Sequence, residues 1–192
     1  MCLVKISTEN HDIVLNIRYA TENNFTGRPI YSRGCCYLHK DAEKLLIKSV
    51  VYAKNLGYKI KIFDAFRPSE AQRLLWNHTP DPKFLADPRH GSPHSRGVAI
   101  DLTLIDENGQ ELEMGTEFDA FSPRSHHGNL DIPTSAQYNR YLLMGIMTTA
   151  GWDFYGYEWW HYQLHNAKNY PLLSDSTLEH SMMPLNTVVA TK

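Results

Sequence analysis

Ser92-Pro93-His94-Ser95-Arg96-Gly97-Val98-Ala99-Ile100-Asp101-Leu102-Thr103-Leu104 is the stretch on which the reading of this chain turns. From Val98 onward it alternates, with Val98, Ile100, Leu102 and Leu104 on one face of a strand and Ala99, Asp101 and Thr103 on the other. Asp101 therefore faces away from the greasy side, across small neighbours. His94 precedes the strand by an odd spacing of seven, which in a straight strand would send the two side chains to opposite faces. Gly97 supplies the backbone freedom that lets the imidazole fold back beside the carboxylate.

A second stretch, Glu158-Trp159-Trp160-His161, offers a carboxylate and an imidazole three apart. That spacing shares a face in a helical turn but not in a strand, so a bend is expected at or just before Glu158. His161 would then reach inward from a strand and Glu158 from its start. Together the two stretches hold two histidines and a carboxylate, a three-ligand metal set with a fourth position open, and a further carboxylate free to act as a base. His94, Asp101 and His161 are the expected ligands of one zinc ion, and Glu158 the base.

Around these, Ile13–Tyr19 reads as a strand and Asn23–Pro29 as a turn-rich loop. A helix is expected from an Asp41 N-cap to the stop at Gly57, and Tyr58–Asp64 alternates as a strand. Ser69 to Gln72 has the form of a capping box opening a helix to about His78, and Thr134 to Gln137 that of another, opening a helix to Ala150 before Gly151. Residues 79–93 form a loop above the site, and Asp106–Gly109 signals a hairpin with Gln110–Met114 returning. A long irregular stretch then runs to Pro133. Trp152–Tyr155 and Glu158–Leu164 are expected as the last strands. His126 and His127, adjacent in a loop, read as surface residues or hydrogen-bonding props. The whole is an α+β chain with helices packed on a largely antiparallel sheet, a single domain over 1–192 with its core at about 12–172 and a surface-hugging or frayed tail over 174–192.

Composition narrows the function. Lys+Arg of 19 against Asp+Glu of 21 gives a net charge of −2 and no basic run stands out, so neither nucleic acid nor an anionic membrane is indicated as a partner. No segment approaches a membrane span, and the opening residues are too short an apolar run for a signal peptide, which points to the cytoplasm. Three cysteines, Cys2, Cys35 and Cys36, are a poor disulfide framework.

Ser92-x-His94-x-x-Gly97-x-Ala99-x-Asp101 followed by Glu158-Trp159-Trp160-His161 resembles the D-alanyl-D-alanine dipeptidases, zinc enzymes of vancomycin resistance and their chromosomal relatives. The likeness extends to Tyr19–Gly27, Phe63–Pro68, Met114–Asp119 and Arg124–His127, in one collinear order over roughly residues 12 to 172. It implies the fold shared with D-alanyl-D-alanine carboxypeptidases and hedgehog domains, and a small dipeptide as substrate. It also implies an Arg67 guanidinium that stabilises the reacting carbonyl, with Asp64 orienting it. Tyr19, Ser92 and Asp119 become the substrate contacts, Asp119 facing the dipeptide's ammonium. The preference for D-alanine comes from the resemblance alone. A carboxypeptidase acting on peptidoglycan stems and a non-catalytic zinc module of the same fold are the alternatives. Two histidines and a carboxylate also serve non-haem iron oxygenases, but there His and carboxylate stand two apart on one strand rather than seven. The stretch from Arg67 to His94 is shorter here than in the resistance-type enzymes, and the oligomeric state is left open.

Overall fold

A computed structural model describes residues 2–184. In chain order the regular elements are β1 (Leu3–Ile6), α1 (Thr8–His11), β2 (Val14–Leu15), β3 (Cys36–His39), α2 (Lys40–Asn55), β4 (Lys59–Asp64), α3 (Ser69–His78), β5 (Ala99–Ile105), α4 (Thr134–Ala150), β6 (Asp153–Phe154) and β7 (His161–Gln163). Five strands form one sheet in the order β2-β4-β5-β7-β6, in which β2 runs parallel to β4 and every other neighbour is antiparallel. A separate two-stranded ribbon pairs β1 with β3. The chain is thus α+β with a largely antiparallel sheet, as the alternation implies.

The middle strand explains the arrangement. All seven residues of β5 are buried, including Asp101 and Thr103. Ile100, Leu102 and Leu104 are fully enclosed, and burial of each such side chain contributes about 1.5–3 kcal/mol. Helices α2 and α4 pack together, and the Trp152 indole donates to Ser49 Oγ of α2 at 3.1 Å. On the other face of β5, Asp101 is covered by His94, His161 and Arg67.

Several local expectations are corrected. The predicted strand at 13–19 pairs only over Val14–Leu15, and Arg18–Ala20 closes into a 3₁₀ turn that sends Tyr19 inward. Helix α2 is capped by His39, whose ring accepts from Asp41 N, rather than by Asp41. Neither expected capping box forms. Ser69 Oγ donates to Leu173 O and Gln72 accepts from Arg67, while α4 starts after Pro133 with Gln137 bonded to Ile132 O. Ser69 is claimed by a distant backbone carbonyl and Gln72 and Gln137 by groups five residues back, partners that the four-residue capping pattern does not register. The hairpin after β5 is reduced to a single bridge, Ile105 to Glu111. The tail is docked as far as it is described: Met182 and Met183 are buried, and Ser32 N donates to Met182 O at 2.7 Å. The remainder of the expected tail, 185–192, lies outside the described residues.

Candidate metal centre and substrate cavity

Register brings the two decisive stretches together. Asp101 on β5 pairs directly with His161 on β7, so their side chains emerge on the same face as cross-strand neighbours. His94 joins them through a 3₁₀ turn over His94–Arg96 that ends on Gly97 in the left-handed region at φ 69°. A Cβ there would meet the end of the Leu3 side chain at 2.5 Å, which would have to move aside, but it is the left-handed backbone that favours glycine at this turn. The expected bend is present too: β7 begins only at His161, and Glu158 occupies the turn before it, its backbone N–H on Tyr155 O and its C=O accepting from His161 N.

The three candidate ligands converge. His94 Nε2 lies 3.1 Å from His161 Nδ1 and 3.3 Å from Asp101 Oδ1, and His161 Nδ1 lies 3.1 Å from the same oxygen. On the outer side of each ring stands an oxygen. His94 Nδ1 is 2.7 Å from the Ala65 carbonyl and His161 Nε2 is 3.1 Å from Gln163 Oε1. A carbonyl oxygen only accepts, so the outer nitrogen of each neutral ring carries the hydrogen and the inner one presents a bare lone pair. Two lone pairs and a carboxylate oxygen then face one another with no hydrogen between them, all within 4.8 Å. A cation resolves that repulsion, and the donor set suits one that accepts nitrogen and oxygen ligands.

Arg67 sits beside this group and is held at each nitrogen. Nε donates to Asp64 Oδ2 at 2.8 Å, Nη1 to Gln72 Oε1 at 3.1 Å, and Nη2 approaches Asp101 Oδ2 at 3.4 Å. Asp64 is fixed in turn by the Tyr31 hydroxyl at 3.0 Å, and the guanidinium lies 4.9 Å from the centre of the Tyr19 ring. Asp64 therefore stands behind Arg67 rather than in the cavity.

A cavity of about 300 Å³ opens on this face. Tyr19, Arg67, Ser92, His94, Asp101, Asp119, Glu158 and His161 all line it. Ser92 is buried, its hydroxyl accepting from His94 N at 3.2 Å. Asp119 takes a hydrogen bond from Tyr19 at 3.1 Å on Oδ1, while its Oδ2 is sealed from solvent with no partner among the described residues. Its φ of 62° places a non-glycine residue in the left-handed region, a strain that functional positions tolerate more than others.

The carboxylates divide by environment. Burial alone would raise Asp101, but where His94 and His161 carry protons they outweigh it and hold the group well below the usual carboxylate range, and a cation held between neutral rings would act in the same direction. Burial raises Glu158 well above its ordinary value, and the nearby Asp101 and Asp119 push the same way. Burial also carries Asp119 up to about 8.

Residue-by-residue reading of the sequence passed over Gln163, Gln72 and the Ala65 carbonyl. Gln163 had a usable signal, since it stands two positions from His161 and so on the same strand face; Gln72 was masked by its capping-box pattern. The loops behave as expected of walls. Pro82 to Ala86 line the cavity, Tyr155 Oη donates to Lys83 O at 3.2 Å, and Phe84 stacks on Phe121 with centroids 4.9 Å apart. His126 and His127 do not join the three-ligand group; their rings meet Tyr157 and Phe154 edge-on.

A family model described as D-ala-D-ala dipeptidase matches residues 2–183. The chain belongs to that family. It is 46% identical over 173 residues to the D-alanyl-D-alanine dipeptidase of Escherichia coli K12, covering 90% of each chain. It is 32% identical over 175 residues to the enzyme of that name from Enterococcus faecalis, covering 80% of this chain and 87% of the relative. With the Streptomyces coelicolor dipeptidase it shares 33% over 168 residues, 77% of this chain and 83% of the relative. This member of the family is accordingly a metallopeptidase. No helix among its described residues is long and apolar enough to cross a membrane.

Proposed function

We propose that this family member is a zinc peptidase formed by one domain of the hedgehog and D-alanyl-D-alanine peptidase type, and that it hydrolyses D-alanyl-D-alanine to two D-alanines. The observation that carries the reading is the convergence of His94 Nε2, His161 Nδ1 and Asp101 Oδ1 at the floor of a small cavity that also exposes Glu158, Arg67 and Asp119. His94, Asp101 and His161 would hold one zinc ion, which would supply Lewis acidity to the carbonyl and acidify water.

The protein's own groups account for the remaining chemistry. Glu158 takes a proton from the attacking water as the new C–O bond forms, and returns it to the departing amine as the C–N bond breaks. Burial raises Glu158 in the free protein, and the positive charge of a metal beside it would draw it back toward the carboxylate that accepts the proton, the protonated form then serving the departing amine. Arg67, held by Asp64 and Gln72, presents a fixed positive charge to the oxygen that becomes negative. Asp119 and Tyr19 receive the substrate's ammonium at the partnerless Oδ2, and Ser92 meets the other polar end. At about 300 Å³ the cavity lies at the small end of ligand sites, and Phe84 stacked on Phe121 stands at its wall. A dipeptide suits it better than a stem peptide. A location in the cytoplasm, with neither nucleic acid nor membrane as partner, completes the reading.

The test is release of D-alanine from D-alanyl-D-alanine, with and without a chelator, beside the N-acetylated dipeptide. Chelator-sensitive cleavage of the free dipeptide alone is expected. Equal cleavage of the N-acetylated form would make the chain a carboxypeptidase, and zinc binding without turnover of either would make it a binding module.

A further inference from the structure

Behind the sheet, on the side away from the metal ligands, three polar side chains end without partners. Tyr162 follows His161 on β7 and so points to the opposite face. Its hydroxyl, Nη2 of Arg140 on α4 and Nε2 of His127 are all buried, and none has a hydrogen-bond partner among the described residues. Tyr162 is fully enclosed and Arg140 is 2% exposed. The groups are neighbours: the His127 and Tyr162 ring centres lie 6.4 Å apart, and Arg140 Nη1 reaches the carbonyl of His126, the residue before His127, at 3.0 Å.

The charge there is unbalanced. Arg140 Nε donates to Met114 O at 2.7 Å and Nη1 to His126 O at 3.0 Å, both neutral carbonyls. No carboxylate pairs with it among the described residues, and the other charged group that acts on it, Arg124, is also positive. Burial lowers the guanidinium only to about 10, so it keeps its charge at neutral pH. His127, pushed down to about 4 by burial and by Arg140, is neutral there and offers no compensation. A buried cation without a counter-ion is strongly disfavoured. A water molecule would satisfy the hydrogen bonds but leave the charge.

We propose that Arg140 Nη2, Tyr162 Oη and His127 Nε2 form a buried site for a small monovalent anion of halide size. All three groups can donate, with His127 in its Nε2–H tautomer. The anion neutralises Arg140 while its other two nitrogens hold the carbonyls of Met114 and His126. Those carbonyls flank the segment that carries Asp119, so the anion would steady the loop wall of the cavity from behind. The site is independent of the metal and of the substrate assignment.

The experiment is a crystal of the full chain grown or soaked in sodium bromide, together with melting of the wild type and of Tyr162→Phe at constant ionic strength as chloride replaces gluconate. An anomalous bromide peak within hydrogen-bond reach of Arg140 and Tyr162 is expected. So is a rise in wild-type Tm of about 3–6 °C once chloride exceeds its dissociation constant roughly tenfold, reduced in Tyr162→Phe. A non-anomalous water at that position, with melting indifferent to the halide, would overturn the proposal.

Discussion

The candidate metal centre and the far wall of the cavity are made of different material. His161 and Asp101 sit on paired strands, and His94 on a turn locked by Gly97, so their inner atoms are fixed by sheet register. The opposite wall comes from loops: Pro82 to Ala86, and the 115–133 stretch with Asp119 at a strained φ. The two regions also treat carboxylates oppositely. Asp101, facing two imidazoles that carry either protons or a shared cation, stays ionised, whereas Asp119 and Glu158, buried with no cation in direct contact, are driven toward their neutral forms. The contrast teaches a division of labour: strands supply a geometry that must not vary, and loops supply groups that adjust when a charged ligand arrives.

If that division holds, damage on the strand side should be the most severe. Asp101→Ala should lose both metal and turnover, readable by metal analysis of the purified protein; full metal content would break the ligand assignment. Glu158→Ala, at the edge of the strand region, should keep its metal and lose about 10²–10⁴-fold in kcat. Metal loss in that variant would turn Glu158 into a ligand. Gln163→Leu removes the acceptor behind His161 and should weaken metal affinity by about 10–100-fold, measured by competition with a chromogenic chelator.

Loop-side changes should be milder and show mainly in KM. Asp119→Asn is expected to raise KM by roughly 10–100-fold with metal content unchanged, the loss of one charge-assisted contact. The same variant tests the raised pKa. An Asp held at about 8 in the folded state and near 3.8 unfolded contributes stability that is present below pH 3.8 and is lost as pH rises through about 8. Substrate-free Asp119→Asn keeps the neutral form at every pH, so its Tm relative to wild type should climb between pH 4 and 8. A constant offset would show that Asp119 ionises freely and that the loop wall is wetter than its geometry indicates.

Much of this was legible in advance. Alternation located β5 and the face on which Asp101 lies, and the mismatch of spacings foretold both the turn at His94 and the bend at Glu158. The weaker forecasts involved side chains with more than one possible partner. Ser69, Gln72 and Gln137 carry capping-box patterns, yet Leu173, Arg67 and Ile132 claim them, because a distant carbonyl for Ser69, and a guanidinium and a carbonyl five residues back for the glutamines, outbid the capping amide. The tail shows a related limit: its polar composition hides Met182 and Met183, which are buried against the core, while 185–192 lie outside the described residues.

By itself the sequence determined the set of chemical groups, the strand that bears Asp101 and the two places where the chain must turn, since periodicity and glycine are local properties. Only the tertiary structure decided that Asp101 and His161 are register partners, that each imidazole turns a bare nitrogen inward because an oxygen waits behind it, and that Arg140 is buried without a counter-charge. Those depend on which distant segments meet, and burial then sets the charge state of whatever is enclosed between them.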